Sequence, residues 1–134
     1  MKKEELFEKL LNLKNNAYSP YSNFKVACII RLKNQDVVKG VNIESASYSP
    51  TICAERAAIS QLYALGWNEK DIEEFSLYTD SENLGTPCGV CRQVMSELLN
   101  PLQEIVIFNK HGYIKTIINQ ELLPYAFSSN DLKS

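Results

Sequence analysis

The sequence predicts an α/β protein, a single three-layer α/β/α domain over residues 1–134 built on a mixed five-stranded sheet. Apolar residues recur at helical spacing in some segments and form short β-rich runs in five others. The two kinds interleave in the order α-β-β-α-β-α-β-β-α, which places helices on the faces of one sheet. A chain of 134 residues, 45% hydrophobic and 22% charged, also has the size and composition to bury a core without staples.

Each element has its own signal. Leu6, Leu10 and Leu13, flanked by Phe7 and Leu11, define an amphipathic helix over residues 3–16. The turn-forming "YSPYSN" ends it. "FKVACIIRL", residues 24–32, is almost wholly apolar, as in a strand covered on both faces. "KNQD" turns the chain into the returning strand "VVKGVNIE". A helix is expected over residues 51–65, with Gly66 placed to end it. "EFSLYTD" reads as a strand, residues 88–99 as a helix and "EIVIFNK" as a strand. "HG" turns into a last strand, "YIKTIIN", and a short helix begins near Gln120.

Charge and targeting signals narrow the function. A net charge of −2 with no basic stripe argues against nucleic acid or an anionic membrane as partner. No apolar run approaches the ~20 residues a membrane helix needs. The N-terminal "MKKEELFEKLL" has acids within its apolar pattern, unlike an export signal, so a reducing cytoplasmic setting is expected. The four cysteines are therefore read as thiols or metal ligands rather than disulfides.

Three of them stand at helix heads. Cys88 and Cys91 are three apart behind Pro87, and Cys53 follows Ser49, Pro50 and Thr51. Helix N-termini favour thiolates, and two facing heads would gather three of them around one soft divalent cation, for which zinc is the obvious candidate. Three ligands leave one coordination position open, the mark of a catalytic rather than a structural zinc. A redox C-x-x-C would leave Cys53 and Glu55 without a role. Cys28, inside an apolar strand, reads as a buried hydrophobe, and His111 as an exposed turn residue. Glu55 sits two residues past Cys53, about 200° around a regular helix. Both can approach one metal only if Cys53 lies at the helix's edge. A carboxylate there can take a proton from a metal-activated water and deliver it to a leaving group.

"CAER" followed by "PCGVC" resembles the zinc-dependent nucleoside deaminase signature, with C-x-E in place of H-x-E. "YSPYSNFKV", "GVNIESASYSPTICAERAAI", "TPCGVCRQVMSELL" and "ELLPYAFSSNDL" are similar, in the same order, to segments of the small homotetrameric cytidine deaminases. The resemblance covers nearly the whole chain. It implies hydrolysis of cytidine or 2′-deoxycytidine to the uridine product and ammonia, as in pyrimidine salvage. One Zn²⁺ per subunit would be held by Cys53, Cys88 and Cys91, the activated water would attack C4, and Glu55 would shuttle the protons. Phe24 would pack on the pyrimidine, Ala54 would contact the substrate, and Asn42 with Glu44 would read the sugar hydroxyls. Phe127 is implied to enter a neighbouring subunit's pocket, with Tyr48 near the same entrance, so that sites are shared. Three thiolates and Zn²⁺ sum to −1, and Arg56, three residues after Cys53, reads as a donor that withdraws this excess charge. Ala27 and Tyr125 depart from the family's usual residues, and Tyr125 stands at the shared entrance. A polynucleotide deaminase, a blasticidin-type deaminase and a zinc-binding interaction module are the rival readings.

Overall fold

The computed structural model describes residues 2–47 and 49–132. Helix α1 spans Lys3–Lys14, and the hairpin β1 (Val26–Leu32) and β2 (Val37–Val41) follows it. Next come α2 (Ala54–Ala64), β3 (Ile72–Thr79), α3 (Gly89–Leu98), β4 (Glu104–Asn109) and β5 (Gly112–Ile118). Short 3-10 turns occupy Glu69–Asp71, Asn119–Leu122 and Ser129–Leu132.

The described strands form one sheet in the order β2-β1-β3-β4-β5. Three neighbouring pairs are antiparallel, while β3 and β4 run parallel with Phe75 opposite Ile105. A parallel pair needs a long crossover, which α3 supplies. The mixed α/β sheet expected from the sequence is therefore present.

Alternation along the strands sorts two cores. Ala27, Ile29, Tyr78, Val106 and Phe108 face α1, where Leu6 and Leu10 are buried. Cys28, Ile30, Phe75, Leu77 and Ile107 face the other way, toward Ala58 and Leu62 of α2 and Met95 of α3. Every one of these ten strand residues is at most 8% exposed, which is why β1, β3 and β4 read as continuous apolar runs.

Two glycines shape the α2 layer. A Cβ on Gly40 of β2 would stand 2.2 Å from the Ala54 carbonyl oxygen and 2.6 Å from the Ala58 amide nitrogen. Only a residue without a side chain lets the first turn of α2 lie this close to the strand. Gly66, at φ +91°, ends α2 as the sequence suggested. The side chain of Gln61 reaches back from α2 and accepts a hydrogen bond from the Lys39 amide on the outer edge of β2.

Several boundaries differ from the sequence reading. Helix α2 begins at Ala54 rather than Thr51, because Ile52 pairs with Ile43 in a β-bridge and the Thr51 hydroxyl accepts the Ser45 amide. The returning strand stops at Val41, leaving Asn42 and Glu44 beyond it. Strand β1 starts at Val26, so Phe24 belongs to the preceding loop.

Candidate active site and metal centre

The heads of α2 and α3 meet at one end of the sheet. Cys53 is the N-cap of α2 and Cys88 the N-cap of α3, both with extended backbones. Cys91 lies in the first turn of α3 and is fully buried. The three sulfurs lie within 4.8 Å of one another, with Cys53 Sγ and Cys88 Sγ 3.5 Å apart. Tetrahedral zinc with Zn–S near 2.3 Å requires sulfurs roughly 3.8 Å apart, so this cluster fits the ion with little adjustment. Three soft donors suit zinc over the hard divalent cations.

The electrostatics are unequal. Hydrogen bonding from the Cys91 thiol, with smaller effects of Cys88 and the charge of Arg56, outweighs the cost of burial and lowers the Cys53 thiol to about 6. The bond to Cys53, then burial, pushes Cys91 up. Of Cys53 and Cys91, Cys53 is thus the more readily ionised. Cys28 lies on the buried side of β1, where burial, then the charge of Glu55, pushes its thiol well up. It is not among the clustered sulfurs.

Glu55 is 4% exposed, a carboxylate enclosed at the base of a cleft of about 220 Å³. Burial raises its pKa to about 7, and the charge of Cys53 adds to the effect. The helix turn between Cys53 and Glu55 is avoided because Cys53 has extended dihedrals, so thiol and carboxylate border the same cleft.

Phe24, Asn42, Glu44 and Ala54 line that cleft together with Cys53, Glu55 and Cys88. The Asn42 side chain accepts from the Val26 amide at 2.9 Å and donates to the Phe24 carbonyl at 2.8 Å, so it also pins the wall that carries Phe24. Glu44 accepts the Tyr21 and Ser22 amides and the Ser22 hydroxyl. The hydroxyl bond leads in lowering the pKa of Glu44 below its ordinary value.

Other expected residues lie elsewhere. Arg56 borders a groove between α2 and α3 while its charge acts on Cys53. Phe127 is not part of this chain's cleft; it is 59% exposed, and its carbonyl accepts Gln93 Nε2. Tyr48 lies outside the described residues. A larger cleft of about 360 Å³, between α1 and the β2 edge, shares no residue with the thiol site.

Sequence reasoning missed three residues. Thr79 and Thr86 also line the cleft, and Arg92 makes two hydrogen bonds to the residues before Cys88 and a third to the Leu122 carbonyl. The C-x-x-C-R spacing placed Arg92 one residue past a presumptive ligand, but nothing in the sequence revealed its distant acceptor.

A sheet flanked by helices, with three clustered cysteines and a buried glutamate at two helix heads, defines a zinc-dependent deaminase. A profile of the cytidine and deoxycytidylate deaminase zinc-binding region matches residues 1–108, and the chain belongs to that family. It is 37% identical over 132 residues to the cytidine deaminase of Halalkalibacterium halodurans, covering 98% of each chain. It is also 37% identical over 122 residues to that of Mycoplasma pneumoniae, covering 90% of each. The structure of cytidine deaminase from Burkholderia pseudomallei superposes with a TM-score of 0.87 at 36% identity, over 95% of this chain and all of that one.

Proposed function

We propose that this chain, acting as one domain, hydrolyses cytidine and 2′-deoxycytidine to the corresponding uridines with release of ammonia. The observation that carries the reading is the position of Glu55, buried at the base of a nucleoside-sized cleft whose wall is formed by Cys53 and Cys88. Cys53, Cys88 and Cys91 are the residues to hold zinc. Zinc, when bound, supplies a Lewis acid that lowers the pKa of a water molecule.

The protein's own groups do the remainder. Glu55 accepts a proton from the attacking water and passes it to N3 of the pyrimidine, then takes the second proton from the new C4 hydroxyl and delivers it to the 4-amino group as the C4–N bond breaks and ammonia leaves. Low exposure keeps its carboxyl from exchanging that proton with bulk water. Phe24 packs on the base, and Ala54, at the first turn of α2, contacts it beside Glu55. Asn42 and Glu44 face the sugar hydroxyls; the ionised Glu44 is an acceptor for them and repels a phosphate. Arg56 withdraws negative charge from the sulfurs, consistent with its effect on Cys53.

The reading extends to a homotetramer in which Phe127, with Tyr48, completes a neighbour's cleft. Its support is the exposure of the C-terminal segment: Tyr125 is fully exposed, Phe127 59% and Leu132 76%. Apolar terminal segments rarely stay so exposed unless they dock. Pyrimidine salvage in the cytoplasm is the physiological setting this activity implies.

An ultraviolet assay of cytidine, deoxycytidine, cytosine and CMP, with zinc and ammonia quantified, tests the proposal. Turnover is expected for the two nucleosides and not for CMP. A zinc-loaded chain that releases no ammonia from either nucleoside would instead be a binding module.

A further inference from the structure

Arg92, in the second turn of α3, bonds the chain around it through all three guanidinium nitrogens. Nε donates to the Pro87 carbonyl at 2.7 Å, Nη2 to the Thr86 hydroxyl at 2.5 Å, and Nη1 to the Leu122 carbonyl at 2.8 Å. The first two acceptors are the residues that lead into Cys88. The third lies 30 positions away, where the Asn119–Leu122 turn releases the C-terminal segment. The Arg92 amide also donates to the Cys88 carbonyl. The next residue, Gln93, holds the same segment further out, at the Phe127 carbonyl. One planar fork therefore spans the metal-bearing turn and the root of the segment that carries Phe127.

We infer that Arg92 is a positioning residue that locks the Cys88 turn and the root of the C-terminal segment into one unit, setting both metal retention and the seating of that segment. The inference rests on the proposed role of Cys88 as a ligand. Residues that orient metal ligands typically change metal affinity about 10- to 100-fold when removed. Lysine cannot replace the fork, because a single ammonium does not serve three separated acceptors.

The test uses the full zinc-loaded chain. Zinc transfer to a chromogenic chelator is timed, and hydrogen exchange is followed by mass spectrometry. Arg92→Ala and Arg92→Lys are each expected to release zinc about 10- to 100-fold faster, with faster exchange over residues 86–91 and 119–127. Gln93→Ala should speed exchange near Phe127 while leaving zinc transfer unchanged. If Arg92→Ala does not fold, Thr86→Val removes one acceptor, and its zinc transfer should accelerate several-fold. Wild-type zinc transfer in whichever of these two variants is read, full rescue by lysine, or equal zinc loss in Gln93→Ala overturns the inference. Cys88→Ala is measured alongside; zinc retained in that variant refutes the ligand assignment itself, whatever Arg92 does.

Discussion

Cys53 Sγ stands 3.5 Å from Cys88 Sγ across 35 residues of sequence, and each cysteine caps a different helix. Neither thiol could reach the other if its helix began one turn earlier. The β-bridge between Ile43 and Ile52 delays α2, and Pro87 stands before the cap of α3. The cluster is thus a product of where two helices start. Replacing Cys53, Cys88 or Cys91 with alanine should therefore remove zinc and activity together. Cys28→Ala, on the buried face of β1, should keep both. Metal analysis of the four purified variants checks this, and an empty Cys28→Ala site would refute the ligand set.

Glu55→Gln preserves the shape of the buried side chain but cannot carry a proton. It should retain one zinc and bind nucleoside, with kcat lowered by about 10²- to 10⁴-fold, the range of general acid–base catalysis. Equilibrium binding and steady-state rates separate the two effects. Near-normal turnover would remove Glu55 from the mechanism.

The close approach at Gly40 makes a stability prediction. A methyl group there meets backbone atoms of Ala54 and Ala58, which cannot rotate away. Gly40→Ala should cost about 1–3 kcal/mol, as overpacking does, and loosen the helix head that bears Cys53. At Gly89 an added methyl meets nothing within 4 Å, so Gly89→Ala is the matched control. Thermal melts that rank the two variants equally would contradict the packing argument.

Asp80 accepts hydrogen bonds from Lys14 Nζ, the Tyr78 hydroxyl and the Lys25 amide, tying α1 and β3 to the loop that carries Phe24. Burial pushes its pKa up, but the Lys25 amide, then Lys14 and Tyr78, outweigh this and hold it below the ordinary 3.8. A depressed carboxyl contributes stability above its unfolded value and loses it as pH falls through the folded one. For Lys14, burial lowers the pKa, but hydrogen bonds to Tyr78 and Asp80 raise it above 10.5. Its contribution is present below 10.5 and fades as pH rises through the folded value. Wild type should therefore exceed Asp80→Ala in Tm most clearly between about pH 5 and 9. The gap should narrow below pH 4; a gap that is constant down to pH 2.5 would show that packing alone is at work.

Shared sites can be tested by complementation. Glu55→Ala and Phe127→Ala chains, each weak alone, are unfolded and refolded together with zinc and reductant. A Phe127→Ala subunit keeps its own Glu55 and can receive Phe127 from its neighbour. Activity above the sum of the separately refolded variants is expected. Hybrids confirmed by mass but merely additive in activity would mean that Phe127 serves its own chain.

Much of this was legible because local patterns determine it. The apolar runs at residues 26–32 and 104–109 are continuous because helices cover both sheet faces, and Gly66 ends α2 in the conformation glycine favours. The clustered cysteines were legible from spacing at helix starts. What escaped depends on distant contacts. Thr51 read as the first residue of a helix, yet its hydroxyl accepts the Ser45 amide. Arg92 resembled any helical arginine until folding brought Leu122 beside it. Phe24 read as a strand residue because β-propensity does not register that the ladder starts two positions later.

The bond from the Lys39 amide to the Gln61 side chain bears on how copies of this chain can meet. Lys39 is the middle residue of β2, and β2 is an outer strand. A stopper at that point, with a lysine beside it, interrupts the ladder that an incoming strand would extend. Fibril growth by strand addition requires two receptive margins per molecule, one to accept and one to offer. With the middle amide of the β2 margin already taken, strand addition there meets a broken ladder, which disfavours polymerisation through the sheet.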